Sequence, residues 1–419
     1  MSSDFKDVLY LFSCGALGKE PIINHNLNIE EIYKISCKQG IWGVVFLSIK
    51  QLYQSGEIEI KKEIFEIWVK NFFAIAVNQL KKRSIINDVL CEMKKNNIDS
   101  YVLKGDIIAQ YYKEPLSRVS GDTDIYVGIN QLENAEKIFE KCGFTVYARS
   151  PMEHHTVCNH TIGGSVDLHL TFHDDCFEEN FFKGYTEITE KGLDYQIDEY
   201  IFTSLGATDN AIFLFLHWVK HFLSCGAGIR QIMDFFLFWK NNQSNINISK
   251  FKNMLEDLDF SKLYAASVHI ALNYLQFNES EIECFNFEVD VFFVNWLLMD
   301  IEQGGVFGKL EQRKLTFYYL FGNDGIPGID EKNSTRYIKM YSNTFKYSYL
   351  ARKYKYLSKT KFLVPIAYIN RMYDLILSIF RVLKTLKKAS TKNDEYAKIN
   401  NRIKIINSIY KKSLTRDIK

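Results

Sequence analysis

The chain is 419 residues long, more than one hydrophobic core usually serves, so we expect two lobes. Hydrophobic residues make up 47% of it and the 8 cysteines form no C-x-x-C pair, which excludes an extensively disordered chain and argues against a zinc or disulfide framework. The net charge of +2 is uneven, because residues 384–419 hold eleven Lys or Arg against three Asp or Glu (+8); the remaining body, at −6, does not favour an extended nucleic-acid groove.

Residues 1–97 are predicted to form a helical region that carries no chemistry. Apolar residues recur there at helical spacing, with a break at Gly40 and a stop at Asn96 and Asn97. The N-terminus lacks a basic leader, and the sequence has no run of eighteen uncharged apolar residues. We therefore expect no signal peptide and no transmembrane segment, and the scattered cysteines favour a reducing, cytoplasmic location.

Residues 98–180 are predicted to form a mixed α/β core that opens with half of a phosphate site. A short apolar strand over 98–103 leads into Lys104-Gly105 and then into a helical run, DIIAQYY. A glycine at a strand-to-helix turn lets a ligand approach the backbone, and a helix N-terminus favours an anion. Lys104 and Arg118 are candidates to neutralise phosphate, although Arg118 pairing with a nearby carboxylate to hold its loop is an equal alternative.

The other half of the predicted site is a set of three carboxylates. Asp122 and Asp124 are two apart in a strand-forming run, so their side chains share a face. In the later strand GGSVDLHLTF, Val166 and Leu168 alternate with Asp167, which joins the first pair if the strands lie side by side. Like charges this close need a cation between them, and Mg²⁺ suits oxygen ligands.

The rest of the core is predicted to be a helix over 131–141 and strands over 144–149 and 154–162, giving a mixed sheet with helices on one face. Residues 181–383 are predicted to form a helical, substrate-side domain, with a strand or arm over 193–202 and a loop at GNDGIPG. A helix in this domain is expected to begin at Thr208-Asp209 with its own capping side chains. Residues 384–419 are predicted to be a basic helical tail, either simply solvated or in contact with an anionic partner or membrane surface.

The order of these motifs resembles the nucleotidyltransferases of the DNA polymerase β superfamily. More narrowly, it is similar to an uncharacterised bacterial nucleotidyltransferase family with the signature L-K-G, R, D-x-D-h-h-V and V-D-L-H. The matching residues are Leu103-Lys104-Gly105, Arg118, Asp122-Thr123-Asp124-Ile125-Tyr126-Val127 and Val166-Asp167-Leu168-His169. The pattern H-x-x-K-H-F followed by I-R-Q-x-x-D, and the segment KYKYLSKTKFLVPIAYINRM, also resemble that family, so the resemblance spans most of the chain.

The resemblance implies an α+β fold, with a small mixed-sheet nucleotidyltransferase core flanked by large N- and C-terminal helical regions. It implies catalysis at Asp122, Asp124 and Asp167, which would hold two Mg²⁺ ions, or Mn²⁺, and NTP binding at Lys104, Gly105 and Arg118. The implied reaction transfers a nucleoside monophosphate to a hydroxyl or amine acceptor and releases pyrophosphate. The acceptor itself is not named by these residues.

Five further residues are assigned to the acceptor side of the cleft: His169, His217, Lys220, His221 and Arg230. His169 shares the face of Asp167, where it would support that carboxylate or hydrogen-bond the substrate; a satisfied histidine beside the site is the alternative. His217 and His221 are four apart, as are Arg230 and Asp234, so each pair shares a helix face. Helix packing with an Arg230–Asp234 ion pair is an equal alternative, and no third ligand supports zinc at the two histidines.

One departure from the superfamily pattern supports a different function. The superfamily usually has Gly-Ser or Gly-Gly at the turn, and the serine contacts phosphate. This chain has Gly105-Asp106, and Asp106 would repel a triphosphate unless it turns away as a helix cap. The narrower family also lacks the serine, so the difference does not exclude activity. A catalytically degenerate nucleotide-binding or scaffolding module is therefore the alternative to an enzyme. A purely structural helical protein with incidental carboxylates is a third hypothesis.

Overall fold

A computed structural model of the chain describes residues 1–147, 155–170, 185, 187–224, 226–305, 345–358, 360–390, 402 and 404–406. The fold is α+β, as the sequence predicts, with a small mixed sheet between helical regions. The helices are α1 (Ser3–Leu17), α2 (Ile29–Lys38), α3 (Trp42–Ser55), α4 (Lys62–Lys95), α5 (Asp106–Ala109), α6 (Leu132–Lys141), α7 (Ala207–Ser224), α8 (Ile229–Asn242), α9 (Ile248–Asp257), α10 (Ser261–Tyr274), α11 (Val291–Gly304), α12 (Tyr347–Lys353) and α13 (Val364–Ser390). The strands are β1 (Tyr101–Val102), β2 (Thr123–Tyr126), β3 (Thr145–Val146), β4 (His155–His160), β5 (Gly164–His169), β6 (Leu193–Ile197) and β7 (Tyr200–Ser204).

The N-terminal helices pack against the segment 110–122 between α5 and β2, which we call the core loop. The predicted break at Gly40 and stop at Asn96 are confirmed, since α2 and α3 flank the first and α4 ends just before the second. Helix α3 touches the chain ahead of Arg118 so closely that a Cβ on Gly43 would lie 2.4 Å from the carbonyl oxygen of Ser117. Only glycine permits this approach, so α3 holds the core loop in close contact.

The sheet places the carboxylates side by side. Its order is β1-β2-β5-β4-β3, and β2 pairs with β5 in parallel whereas the other neighbours are antiparallel. The register sets Asp124 directly beside Asp167. Val166 and Leu168 are fully buried in the core on the other face, so the predicted alternation is confirmed.

Several predicted elements differ in extent or cause. The helix after Gly105 ends at Ala109 and not at Tyr112, because the backbone tightens there: the N–H groups of residues 110, 111 and 112 donate to the carbonyl oxygens three residues before them. The arm over 193–202 is a two-stranded hairpin, β6–β7. The predicted GNDGIPG loop and most of the predicted basic tail lie outside the described residues.

The start of α7 is capped from elsewhere in the chain. Asp209, predicted to be part of the cap, instead accepts hydrogen bonds from the backbone N–H groups of Thr189 and Glu190 (2.7 and 2.9 Å). The carboxylate of Glu190 accepts from the N–H of Thr208 at 2.8 Å. Sequence proximity suggested a local cap, whereas the segment 187–190 supplies it from outside the helix.

Helices α7, α8, α9 and α10 share one large hydrophobic core with the sheet and the N-terminal helices. Helices α12 and α13 instead have a small core of their own, formed by Leu350, Leu357 and Ala367. Within the described residues, no helix combines the length and apolarity needed to cross a lipid bilayer.

Candidate active site

The turn after β1 delivers Lys104 to the carboxylates. The N–H of Leu103 donates to the carbonyl oxygen of Asp124 at 3.0 Å, so pairing with β2 continues up to the turn. Gly105 then adopts φ 76° and ψ −115°, a conformation strained for any residue with a side chain. The chain therefore reverses at Gly105 and leaves the Lys104 side chain beside β2.

Asp124 is the centre of the site. Its side chain is 3% exposed, with Lys104 Nζ at 3.0 Å from Oδ2 and His169 Nε2 at 2.9 Å from Oδ1. Burial by itself would raise the pKa of Asp124, but the lysine and the histidine hold it well below its usual range. The carboxylate is thus ionised and already oriented.

Asp167 is in a different state, although it lies in register with Asp124. Burial, followed by the charges of Asp124 and Asp122, raises the pKa of Asp167 to about 7. His155 lies 3.6 Å away, and burial with the field of His169 lowers its pKa to about 4, so that imidazole is neutral near pH 7. An excess of negative charge remains at this edge of the sheet.

A divalent cation fits that excess. Ligand atoms of Asp124, Asp167 and His169 all lie within 4.8 Å of one another in the described chain. Two carboxylates suit a hard cation, and an imidazole beside them is accepted more readily by Mn²⁺ than by Mg²⁺. The cluster could therefore hold a divalent cation. Asp122 is half-buried and lines the adjoining cleft; this cluster does not include it.

The cleft beside the carboxylates lies between the core loop and helices α7 and α8. It is lined mainly by polar side chains that include both predicted phosphate and predicted acceptor residues. The lining residues are Lys104, Gly105, Arg118, Ser120, Gly121, Asp122, Leu214, His217, His221, Arg230, Gln231 and Asp234.

Arg118 is tied to the protein by a buried ion pair. Its Nε and Nη2 donate to the two carboxylate oxygens of Asp234 at 2.8 and 2.7 Å, and Nη1 lies 3.4 Å from the carbonyl oxygen of Gly105. Tyr112 donates its hydroxyl to the same carboxylate at 2.7 Å. Asp234 is therefore engaged by Arg118, whereas Arg230, its alternative partner in the sequence analysis, donates to the carbonyl oxygen of Val119 at 2.6 Å.

Helix α7 contributes three of the predicted acceptor-side residues. Lys104 Nζ lies 3.1 Å from Nε2 of His217, which lies 3.0 Å from Nε2 of His221. Burial and the charge of Lys104 lower the pKa of His217 to about 3, so this ring is neutral and accepts from the ammonium. Lys220, on the same helix, lies near enough to His155 and Asp167 for its charge to lower the pKa of both.

Helix α4 supplies two cations that the sequence analysis missed. Lys82 Nζ donates to the carbonyl oxygen of Gly121 at 2.8 Å, and burial lowers its pKa although Asp122 is nearby. Arg83 pairs with Asp106 at 3.1 Å and also with Asp198. The sequence signal for these residues is the Lys-Lys-Arg run at 81–83. A run of charges on a long helix usually faces water, and the neighbouring residues do not indicate that Lys82 and Arg83 turn inward.

Ser120 is a second residue that the sequence analysis missed. A Cβ built on Gly105 would lie 3.7 Å from the Ser120 hydroxyl oxygen, and that hydroxyl donates to the carbonyl oxygen of Asp122 at 3.2 Å. The predicted absence of a serine beside the turn is therefore true of the sequence and not of the space around the turn. A search for a serine directly after the turn glycine cannot find Ser120, because the loop brings it to the turn only in the folded protein.

The site combines a Lys-Gly turn with paired carboxylates on neighbouring strands of a small mixed sheet, and helices α7 and α8 face it. This arrangement is typical of nucleotidyltransferases. The chain belongs to a family described as uncharacterised nucleotidyltransferases, whose model matches residues 25–276. No curated protein and no solved structure matches the chain. The match runs from just before α2 to just after α10, so the resemblance of residues 353–372 to that family stays a prediction.

Proposed function

We propose that the protein is a divalent-cation-dependent nucleotidyltransferase that moves a nucleoside monophosphate from an NTP to a hydroxyl or amine acceptor. The observation that carries the proposal is the in-register pair Asp124 and Asp167 beside Lys104, within a family-matched core. Asp124, Asp167 and His169 would hold the cation, with Asp122 on the nucleotide side. Such a cation would neutralise charge on the phosphates and on the leaving pyrophosphate.

Each step in the reaction can be assigned to side chains of this chain. The acceptor oxygen or nitrogen forms a bond to the α-phosphorus, and the bond from that phosphorus to the bridging oxygen of the β-phosphate breaks as pyrophosphate leaves. Asp167 would help to take the acceptor proton, because it lies in register with Asp124 at the edge of the proposed cation site. Lys104 would contact phosphate, and His169 would keep Asp124 in place.

Arg118 has a positioning role in this proposal. Three of its nitrogen atoms contact Asp234 or Gly105, so its contacts serve to fix the turn and helix α8 against each other. His217, His221, Arg230 and Lys220 lie on the helical side, where the acceptor would enter. Arg230 offers positive charge there, which favours an acceptor or nucleotide with an anionic group.

The objection raised by Asp106 is weakened by its partner. Its carboxylate pairs with Arg83 rather than capping α5, so it is neutralised on the side of α4. One observation does favour the alternative of a degenerate binding module. Lys104 already pairs with Asp124 and contacts His217, so its ammonium occupies the position of a counter-ion at the carboxylate.

Ligand-dependent stability separates these two functions. We expect thermal unfolding to shift upward, by about 2 °C or more, with one preferred NTP plus Mg²⁺ or Mn²⁺ at about a hundredfold excess over Kd. Pyrophosphate release should follow in an acceptor screen. A shift without pyrophosphate release under any acceptor would support the degenerate module, and no shift with any NTP would contradict both.

Ser120 provides a finer test of the phosphate side. Replacing Ser120 by alanine is expected to weaken binding of the preferred NTP about fivefold to tenfold, because one hydroxyl beside the Gly105 turn is lost. Titration calorimetry measures the change. Ser55→Ala, at the exposed end of α3 and outside the cleft, is the control and should leave affinity unchanged; equal effects of both variants would contradict the role of Ser120.

A further inference from the structure

An apolar stripe runs along the outer face of helix α13 and the short 3₁₀ turn ahead of it. Phe362, Ile366, Ile369, Tyr373 and Ile376 follow the spacing i, i+4, i+7, i+11, i+14, so their side chains line one face. Their exposed fractions are 93%, 47%, 68%, 61% and 45%. We call this set the α13 stripe. Large apolar side chains exposed in a row mark an interaction surface rather than ordinary surface variation.

The stripe is distinct from the face that α13 uses for its own packing. Ala367 and Arg371, on the opposite side of the helix, are buried, and Ala367 packs with Leu350 and Leu357. Packing against α12 therefore engages the inner face and leaves the outer one to solvent. In the sequence, Phe380 and Leu383 continue the same spacing.

The segment that carries the stripe is strongly basic. Residues 345–390 hold eleven Lys or Arg and a single acidic residue, Asp374, a balance of +10 in a chain whose total is +2. Asp374 is paired with Lys353 at 2.8 Å and accepts a hydrogen bond from the hydroxyl of Tyr354, also at 2.8 Å. An apolar helix face within a positively charged segment is complementary to a surface that is both apolar and anionic.

We propose that the α13 stripe docks in the plane of an anionic lipid surface. An amphipathic helix of this kind buries its apolar face at the boundary between headgroups and acyl chains, while Lys and Arg attract the anionic headgroups. Charged residues at 371, 374 and 381 agree with a helix that lies on the bilayer and does not cross it. A second copy of the chain is disfavoured as occupant, because a two-fold pair would bring two +10 segments together.

The proposal is tested with the full-length protein and vesicles. We expect it to co-sediment with vesicles of phosphatidylglycerol and phosphatidylcholine, bind pure phosphatidylcholine at least about tenfold more weakly, and dissociate as salt is raised. Phe362→Asp and Ile369→Asp should each weaken binding about tenfold or more, because each removes a large apolar group from the lipid.

Matched controls make the outcome interpretable. Phe292→Asp changes another phenylalanine that is 72% exposed, at the start of α11, and should bind vesicles as the wild type does. Circular dichroism should show that each variant is folded, because the changed side chains are exposed. Three results would overturn the proposal: no preference for anionic vesicles, equal loss in Phe292→Asp and Phe362→Asp, or a dimer in light scattering that Ile369→Asp dissociates while vesicles do not bind.

Discussion

Asp124→Asn is expected to weaken cation-supported NTP binding about a hundredfold or more. The substitution keeps the shape of the side chain, but it removes the charge that faces Lys104 and a carboxylate ligand of the Asp124, Asp167 and His169 cluster. Changes even in the residues that support metal ligands typically cost tenfold to about a hundredfold in affinity, so a change in a ligand should cost at least as much. Titration calorimetry with the preferred NTP and Mg²⁺ or Mn²⁺ measures the loss.

Asp194→Asn is the matched control for this experiment. Asp194 is an exposed strand carboxylate on β6 that accepts a hydrogen bond from Thr203 at 2.6 Å, outside the cleft. Its variant should bind nucleotide as the wild type does. If Asp124→Asn kept wild-type affinity and a native circular dichroism spectrum, the carboxylates would be structural and the enzyme hypothesis would be wrong.

Breaking the Arg118–Asp234 pair is expected to cause the largest loss of stability. Asp234→Leu leaves a guanidinium that is 4% exposed without its carboxylate, and removing one partner of a buried ion pair typically costs about 3–5 kcal/mol. The hydroxyl of Tyr112 loses its acceptor in the same variant. The free energy of unfolding in urea should therefore fall by that amount.

The double variant Arg118→Met/Asp234→Leu separates charge from packing. Replacing both partners by apolar side chains removes the stranded charge, so the double variant should be more stable than Asp234→Leu alone. Lys61→Met, which removes an exposed partner of Glu30, is the comparison for a surface pair and should shift the midpoint little. A double variant no more stable than the single one would show that the cost lies in lost packing around Tyr112 and not in the unpaired Arg118.

Much of the sheet could be predicted because its information is local. Alternation in Val166, Asp167 and Leu168 gives the face of β5, and the spacing of Asp122 and Asp124 gives a shared direction on the preceding strand. Short-range signals also gave the break at Gly40 and helix α6, whose observed start differs from the predicted one by a single residue. The pairing of Asp124 with Asp167 required only that the two strands be neighbours.

The support of the site could not be predicted because it depends on tertiary contacts. Asp234 has Arg230 four residues before it on the same helix, so a local pair was the natural alternative, yet the buried Arg118 reaches it from the core loop with better geometry. Arg83 and Lys82 belong to a helix in which the sequence indicated no chemistry. Their partners are more than 20 residues away, and no periodicity encodes such contacts.

The parallel pairing of β2 with β5 also bears on how the protein folds. Strands β4 and β5 form a local hairpin. Strand β2 lies between β1 and β5, and its partner in β5 is distant in sequence, since 43 positions separate Asp124 from Asp167. Such long-range pairing is slow to form, so the hairpin is expected to form first and β2 to join it later. The carboxylates meet only when β2 pairs with β5. A nascent or unfolded chain would then offer no assembled ion site, so a cation that binds only the folded molecule would slow its proteolysis.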